Sequence, residues 1–214
     1  SESDDVVVKD DIFVNDLIIS RNDNKVTLIS INDEVLNEFD NINPILANGL
    51  IAVKIKGAWG YANKQGEVVI SPGYMDGSPF LGKIAAVKIK DKFGFIDLKG
   101  NLIVEPQYEG VAGYNEGLWT VGKNGLIGFI DESGNEVIQC QFAMPNDIYS
   151  PVYKFTDGLA AVYIDGGYAL IDKKGNIVSE DIVDSFVVGR KLSNDGMIKF
   201  MKDDRYGFIK PEVE

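Results

Sequence analysis

Apolar residues recur along this chain in short runs, and the runs come back at a nearly fixed interval. Leu50-Ile51-Ala52-Val53, Ile84-Ala85-Ala86-Val87 and Leu159-Ala160-Ala161-Val162 are unbroken apolar tetrads. That is the pattern of a strand covered on both faces. After a short turn such as Lys56-Gly57, Lys90-Asp91-Lys92 or Asp165-Gly166-Gly167, a second run follows that is built around an aromatic residue and a glycine. Its versions are Trp59-Gly60-Tyr61, Phe93-Gly94-Phe95, Ile127-Gly128-Phe129, Tyr168-Ala169-Leu170 and Tyr206-Gly207-Phe208. Two apolar runs joined by a Gly-containing turn predict a β-hairpin.

The second run closes on Asp97-Leu98-Lys99-Gly100, Asp131-Glu132-Ser133-Gly134 or Asp172-Lys173-Lys174-Gly175. Here a leading acid can accept bonds from backbone amides while the glycine takes a left-handed conformation. A third strand is expected next, in Glu67-Val68-Val69-Ile70, Asn101-Leu102-Ile103-Val104 and Asn176-Ile177-Val178. Taking the residue before the glycine as the anchor, six units fall at Val26, Trp59, Phe93, Ile127, Tyr168 and Tyr206, with spacings of 33, 34, 34, 41 and 38 residues. A period of this length means stacked small units, none of which buries its own apolar face. The whole of residues 1–214 reads as one repeat domain of antiparallel strands.

Composition narrows the chemistry. There are 21 Lys and Arg against 33 Asp and Glu, a net charge of -12, so release of counterions from a phosphate backbone offers no driving force. Nucleic acid is not an expected partner. No run approaches the apolar length of a membrane helix, so no membrane insertion is expected, and Ser1-Glu2-Ser3-Asp4-Asp5 has neither the basic nor the apolar region of a signal peptide. With no histidine, the commonest general base and transition-metal ligand is missing. The one cysteine, Cys140, lies in an apolar stretch and reads as a small buried hydrophobe. No cofactor, metal or catalytic constellation is expected, and the chain reads as a monomeric non-enzyme.

In Gly57-Ala58-Trp59-Gly60-Tyr61, Lys92-Phe93-Gly94-Phe95-Ile96-Asp97 and Gly117-Leu118-Trp119-Thr120-Val121, and in Pro72-Gly73-Tyr74 and Pro106-Gln107-Tyr108, the chain resembles the bacterial WG repeat, also called the KWG repeat. The likeness is clearest from Gly49 to Gly175. Thr27 and Ala169 replace the glycine in two units, so the array is eroded. The resemblance implies a non-enzymatic interaction module, of a kind common in bacterial cell-surface or exported proteins, with no shared catalytic residues.

The last unit lacks its third strand, and Asp5-Val6-Val7-Val8-Lys9-Asp10 matches the missing piece in kind. The expected architecture is therefore all-β, six short antiparallel units of about three strands in a closed propeller-like ring, with residues 5–10 completing the last unit. An open β-solenoid or twisted array is the alternative.

The fourth unit departs from the pattern twice. Trp119 stands where the other units have Ile18, Ile51, Ala85, Ala160 and Ile198, either as a filler of core space or as an exposed platform. The connection after Phe142 is seven residues longer than the standard 34-residue interval allows, and carries two prolines, Pro145 and Pro151, and two tyrosines, Tyr149 and Tyr153. Trp119, Tyr149 and Tyr153 are the expected binding residues, for a protein or peptide or else for a glycan. Asp97, Asp131 and Asp172 are read as turn residues before they are read as a carboxylate ring or a glycosidase pair.

Overall fold

The computed structural model describes residues 11–22, 25–143, 153–179, 182–186 and 197–209. All regular structure among them is β, and every strand pair is antiparallel. The first sheet is β1 (Ile12–Val14), β2 (Leu17–Arg21), β3 (Val26–Ser30) and β4 (Val35–Phe39). The second is β5 (Asn41–Ala47), β6 (Leu50–Ile55), β7 (Ala58–Asn63) and β8 (Val68–Tyr74). The third is β9 (Asp76–Gly77), β10 (Ile84–Ile89), β11 (Lys92–Asp97) and β12 (Leu102–Tyr108). The fourth runs β13 (Gly110–Asn115), β14 (Leu118–Lys123), β15 (Leu126–Asp131), β16 (Glu136–Ala143), β17 (Ala160–Ile164) and β18 (Gly167–Ile171). The last is β19 (Ser185–Phe186), β20 (Ile198–Lys202) and β21 (Arg205–Ile209).

The complete repeat is thus four-stranded, where three strands were expected. The additional strand, β1, β5, β9 or β13, precedes the apolar tetrad. It escapes a periodicity reading because it is short or broken: the register slips between Ile42 and Leu46 in β5 and between Val111 and Gly113 in β13, which destroys the alternation. Residues 5–10, expected to complete the last unit, lie outside the described residues.

The chain divides into two compact units, Ser1–Pro106 and Gln107–Glu214, with the boundary inside β12. In the first unit, the first two sheets share a core of Leu17, Ile19, Leu28, Ile42, Ile51, Val53 and Ala62. The second and third sheets share one of Ala52, Tyr61, Ile70, Phe80, Ala85, Val87 and Ile96. In the second unit, Phe129, Ile138 and Phe142 meet Phe155, Ala160, Val162 and Ile171, while Ala161, Leu170 and Val183 meet Ile198 and Phe200. The tetrads at residues 50–53 and 159–162 each lie between two such interfaces, so both of their faces are covered. Each fully buried Val, Leu, Ile or Phe side chain contributes about 1.5–3 kcal/mol.

The stacking follows one rule. Ala52 and Tyr61, seven before and two after the anchor, point toward the next sheet. Ala85 and Ile96, eight before and three after the anchor, receive them from that sheet. The turn glycines seal the contact at the strand ends. A Cβ on Gly66 would lie 3.1 Å from Leu36 and Asn37 of β4, one on Gly100 would lie 3.1 Å from Ile70 of β8, and one on Gly175 would lie 3.3 Å from Ile138 of β16.

Candidate functional site

Two of the three expected binding residues are in the core, and Tyr149 lies outside the described residues. Trp119 is 1% exposed, with its ring 5.5 Å from that of Tyr114. So buried, it offers no platform. Tyr153 is 8% exposed and takes φ +70°, a strained conformation for an aromatic residue. Three hydrogen bonds hold it there. Its amide donates to Ala161 O at 2.9 Å, its hydroxyl donates to Ala143 O at 2.5 Å, and Thr120 Oγ1 donates to its carbonyl at 2.5 Å. Burial pushes its hydroxyl up to about 12. The coincident departures of the fourth unit are therefore partly one packing solution. Thr120, beside Trp119, anchors the end of the long connection, and Phe155 then enters the core edge-on to Phe129 at 4.9 Å.

The repeated acids are turn caps. Asp97 Oδ1 accepts from Lys99 N at 2.9 Å and Asn101 N at 2.8 Å, while Oδ2 accepts from Asn101 Nδ2 at 2.9 Å. Asp131 and Asp172 make the same three bonds with their own turns, and Asn63 and Ser30 take the backbone part of that role. Slight burial raises the Asp97, Asp131 and Asp172 carboxyls, but the bonds from the neighbouring Asn side chain and the backbone amides outweigh it and hold them below the usual carboxylate range. Other acids cap the preceding hairpin turns: Asp40 accepts from Gly57 N at 3.2 Å and Asp184 from Asp203 N at 2.8 Å. Lys25, bonded to Asp40 at 2.7 Å, holds that carboxyl low. Among the described residues, no cluster of three metal-ligating side chains occurs. Cys140 is half-buried rather than buried, and its thiol is raised by desolvation.

In the first unit, the side chains that combine aromatic area, charge and access form two equivalent rows, one on the second sheet and one on the third. Lys54, Trp59 and Tyr74 are cross-strand partners in β6, β7 and β8, and Asp76, Lys88 and Phe93 occupy the matching row of β9, β10 and β11. Lys54 Nζ sits 5.9 Å from the Trp59 ring centre, and Lys88 Nζ 5.3 Å from that of Phe93. A Cβ on Gly77 would lie 3.3 Å from Trp59 Cβ, so Gly77 and its partner Val87 face the row of the second sheet, while the row of Asp76, Lys88 and Phe93 lies on the opposite face of the third sheet. Trp59, Tyr74 and Phe93 are half-buried and Asp76 is exposed. The arrangement can stack on flat or apolar groups and offer charges of both signs. It was overlooked at the sequence level because the aromatic-glycine phrase reads as packing, and part of each anchor ring does pack.

A missed repeat position is also structural. Thirteen residues before the anchors stand Phe13, Leu46, Phe80, Tyr114 and Phe155. Phe80 lies 4.8 Å from Tyr61 and Phe155 4.9 Å from Phe129, so at both places this position seats on the aromatic of the preceding repeat. Asn48 Nδ2 donates to Gly82 O at 2.7 Å, and Asn115 Nδ2 donates to Phe155 O, fastening the segments that carry them.

A family model described as WG containing repeat matches three consecutive segments, residues 59–93, 93–126 and 127–168, which together span just over half of the chain. No curated protein matches the sequence. Similar solved structures include Kluyveromyces lactis Hsv2p, at 13% identity and a TM-score of 0.47, over 93% of this chain and 72% of that one. Hsv2 of Kluyveromyces marxianus is similar at 13% identity and a TM-score of 0.48, over 93% of this chain and 70% of that one. A K. lactis Hsv2 whose loop 6CD is replaced by a Gly-Ser linker is similar at 12% identity and a TM-score of 0.46, over 95% and 81%.

Proposed function

This chain belongs to the WG-containing repeat family, and from that premise we propose that it is a non-enzymatic interaction module that binds a protein or peptide through two equivalent rows, Lys54, Trp59 and Tyr74 on the second sheet and Asp76, Lys88 and Phe93 on the third. The observation that supports this reading is the pair of rows, each with a half-buried aromatic ring under a lysine. Aromatic anchors of this kind contribute much contact area at little entropy cost, and partner residues concentrate their binding energy on them. The acids argue the same way. Those that could have served catalysis, Asp97, Asp131 and Asp172, already spend both carboxylate oxygens on their own turns.

A displayed random-peptide library tests the proposal. Binders enriched on the native protein are expected to lose at least about tenfold in affinity when Trp59→Ala and Lys88→Ala are combined, which corresponds to about 1.4 kcal/mol. Enriched peptides that bind the double variant equally well would place the site elsewhere. Carbohydrate binding is the second reading, favoured by the adjacent Trp59 and Tyr74, whose rings suit the apolar face of a sugar. A glycan array with the same double variant separates the two. A closed six-unit ring, the finer architectural reading, would need each terminal sheet to be covered by another sheet.

A further inference from the structure

The stacking rule makes a statement about the sheets at either end. The interface of the second and third sheets, and that of Phe129 with Phe155 in the second unit, each join two surfaces. The donor surface there carries the aromatic two residues after the anchor, and the receptor surface carries the residues thirteen and eight before the anchor and three after it. Tyr61 and Phe129 are donor aromatics, each 0% exposed under Phe80 or Phe155, which are themselves 1% exposed.

On the donor side of the last sheet Lys199 stands where the second and third sheets have Ala52 and Ala86, paired with Phe208 and with its Nζ 4.0 Å from the Tyr206 ring centre. Phe208 holds the position of Tyr61 and Phe129, yet it is 62% exposed, and Tyr206, on the same face of β21, is 65% exposed. The opposite face of this sheet is the covered one, with Ile198 and Phe200 packed on the core around Leu170. The first sheet has the converse. Phe13, Ile18, Ile29 and Val35 are cross-strand partners in one apolar row across β1, β2, β3 and β4. This is the register of Leu46, Ile51, Ala62 and Val68 in the second sheet, where Ile51 and Ala62 are fully buried against the first. In the first sheet, Phe13 is 73% exposed and Val35 61%.

We propose that these two surfaces bind each other between copies of the chain, the row of Phe13, Ile18, Ile29 and Val35 in one copy seating on Tyr206 and Phe208 of the next. The occupant is identified by shape. The pairs Phe80 on Tyr61 and Phe155 on Phe129 show what each surface accepts, and Phe13 on Phe208 would be a further pair of that kind. One chain exposes both halves, so a second copy supplies what each lacks. The interface is heterologous: it joins copies head to tail and propagates until a ring closes.

Sedimentation over a concentration series tests this, with Phe13→Asp and Phe208→Asp as variants. Both side chains are exposed, so neither substitution empties a core. The native chain is expected to rise above its 23.5 kDa mass with concentration, and each variant alone is expected to stay at that mass. Mixed, the variants should form a one-to-one dimer and nothing larger, because each keeps the half that the other has lost. A native chain that stays at one-chain mass throughout, as it would if its own ends covered each other, overturns the proposal. So does an oligomer unaffected by either variant, or a mixture that stays monomeric.

Discussion

Gly60, Gly94 and Gly128 are glycine because a bulged outer strand passes over them. A Cβ at these positions would meet Ile70 O at 2.6 Å, Val104 O at 2.5 Å and Ile138 O at 2.6 Å. The register around Gly60 and Gly128 slips on either side of the following aromatic, which draws the outer backbone inward. Thr27 can replace the glycine in the first sheet because there Thr27 pairs squarely with Glu38 and the strand does not bulge at that point. The capping acids are explained at the same scale, and they carry a pH signature. Asp97, Asp131 and Asp172 are held below their ordinary range when folded, so the unfolded chain takes up protons first. Their contribution is complete above the ordinary carboxylate range, about pH 4, and is lost as pH falls through the folded values. Thermal unfolding between about pH 6 and 2.5 should show the triple variant Asp97→Asn, Asp131→Asn, Asp172→Asn losing less stability on acidification than the native chain. Parallel curves would mean the acids act only as neutral acceptors.

At the scale of elements, the short segment before each tetrad decides how sheets join. Phe80 and Phe155 reach over the aromatic of the preceding repeat, and Asn48 and Asn115 fasten their backbones. Phe80→Ala and Phe155→Ala should each cost about 3–5 kcal/mol in denaturant unfolding, the range for emptying a buried aromatic site. Phe13→Ala occupies the same repeat position but removes a side chain that is 73% exposed, so under dilute conditions it should stay within about 0.5 kcal/mol of native. Equal losses at all three positions would show that the first sheet is covered in solution.

The whole molecule carries -12 at neutral pH with a sequence pI near 4.5. That charge opposes the approach of two copies, and salt screens it. If the end surfaces pair as proposed, the native chain should associate more strongly in about 0.5 M salt than in about 0.02 M, and more strongly as pH is lowered toward the pI, because apolar burial persists while repulsion fades. Association that weakens with salt would point to ion pairs at the contact instead.

Much of this architecture was legible in one dimension because it is local. A turn needs its acid and glycine within a few residues, a hairpin needs two apolar runs beside it, and a repeat writes the same phrase again, so Asp97 with Gly100 and Gly57 beside Trp59 could be read directly. The broken segments were not legible. β5 and β13 lose their alternation where the register slips, and Tyr153 with its prolines looks like a recognition loop until Thr120 and Ala143 are seen holding it in the core. By itself the sequence determined that the chain is an antiparallel β-array of the WG type, because strand, turn and packing glycine are each specified by neighbours in the chain. Only the tertiary structure decided which aromatic residues are buried and which are offered outward. Exposure is settled by packing in three dimensions, which covers Tyr61 with Phe80 and leaves Trp59 half open.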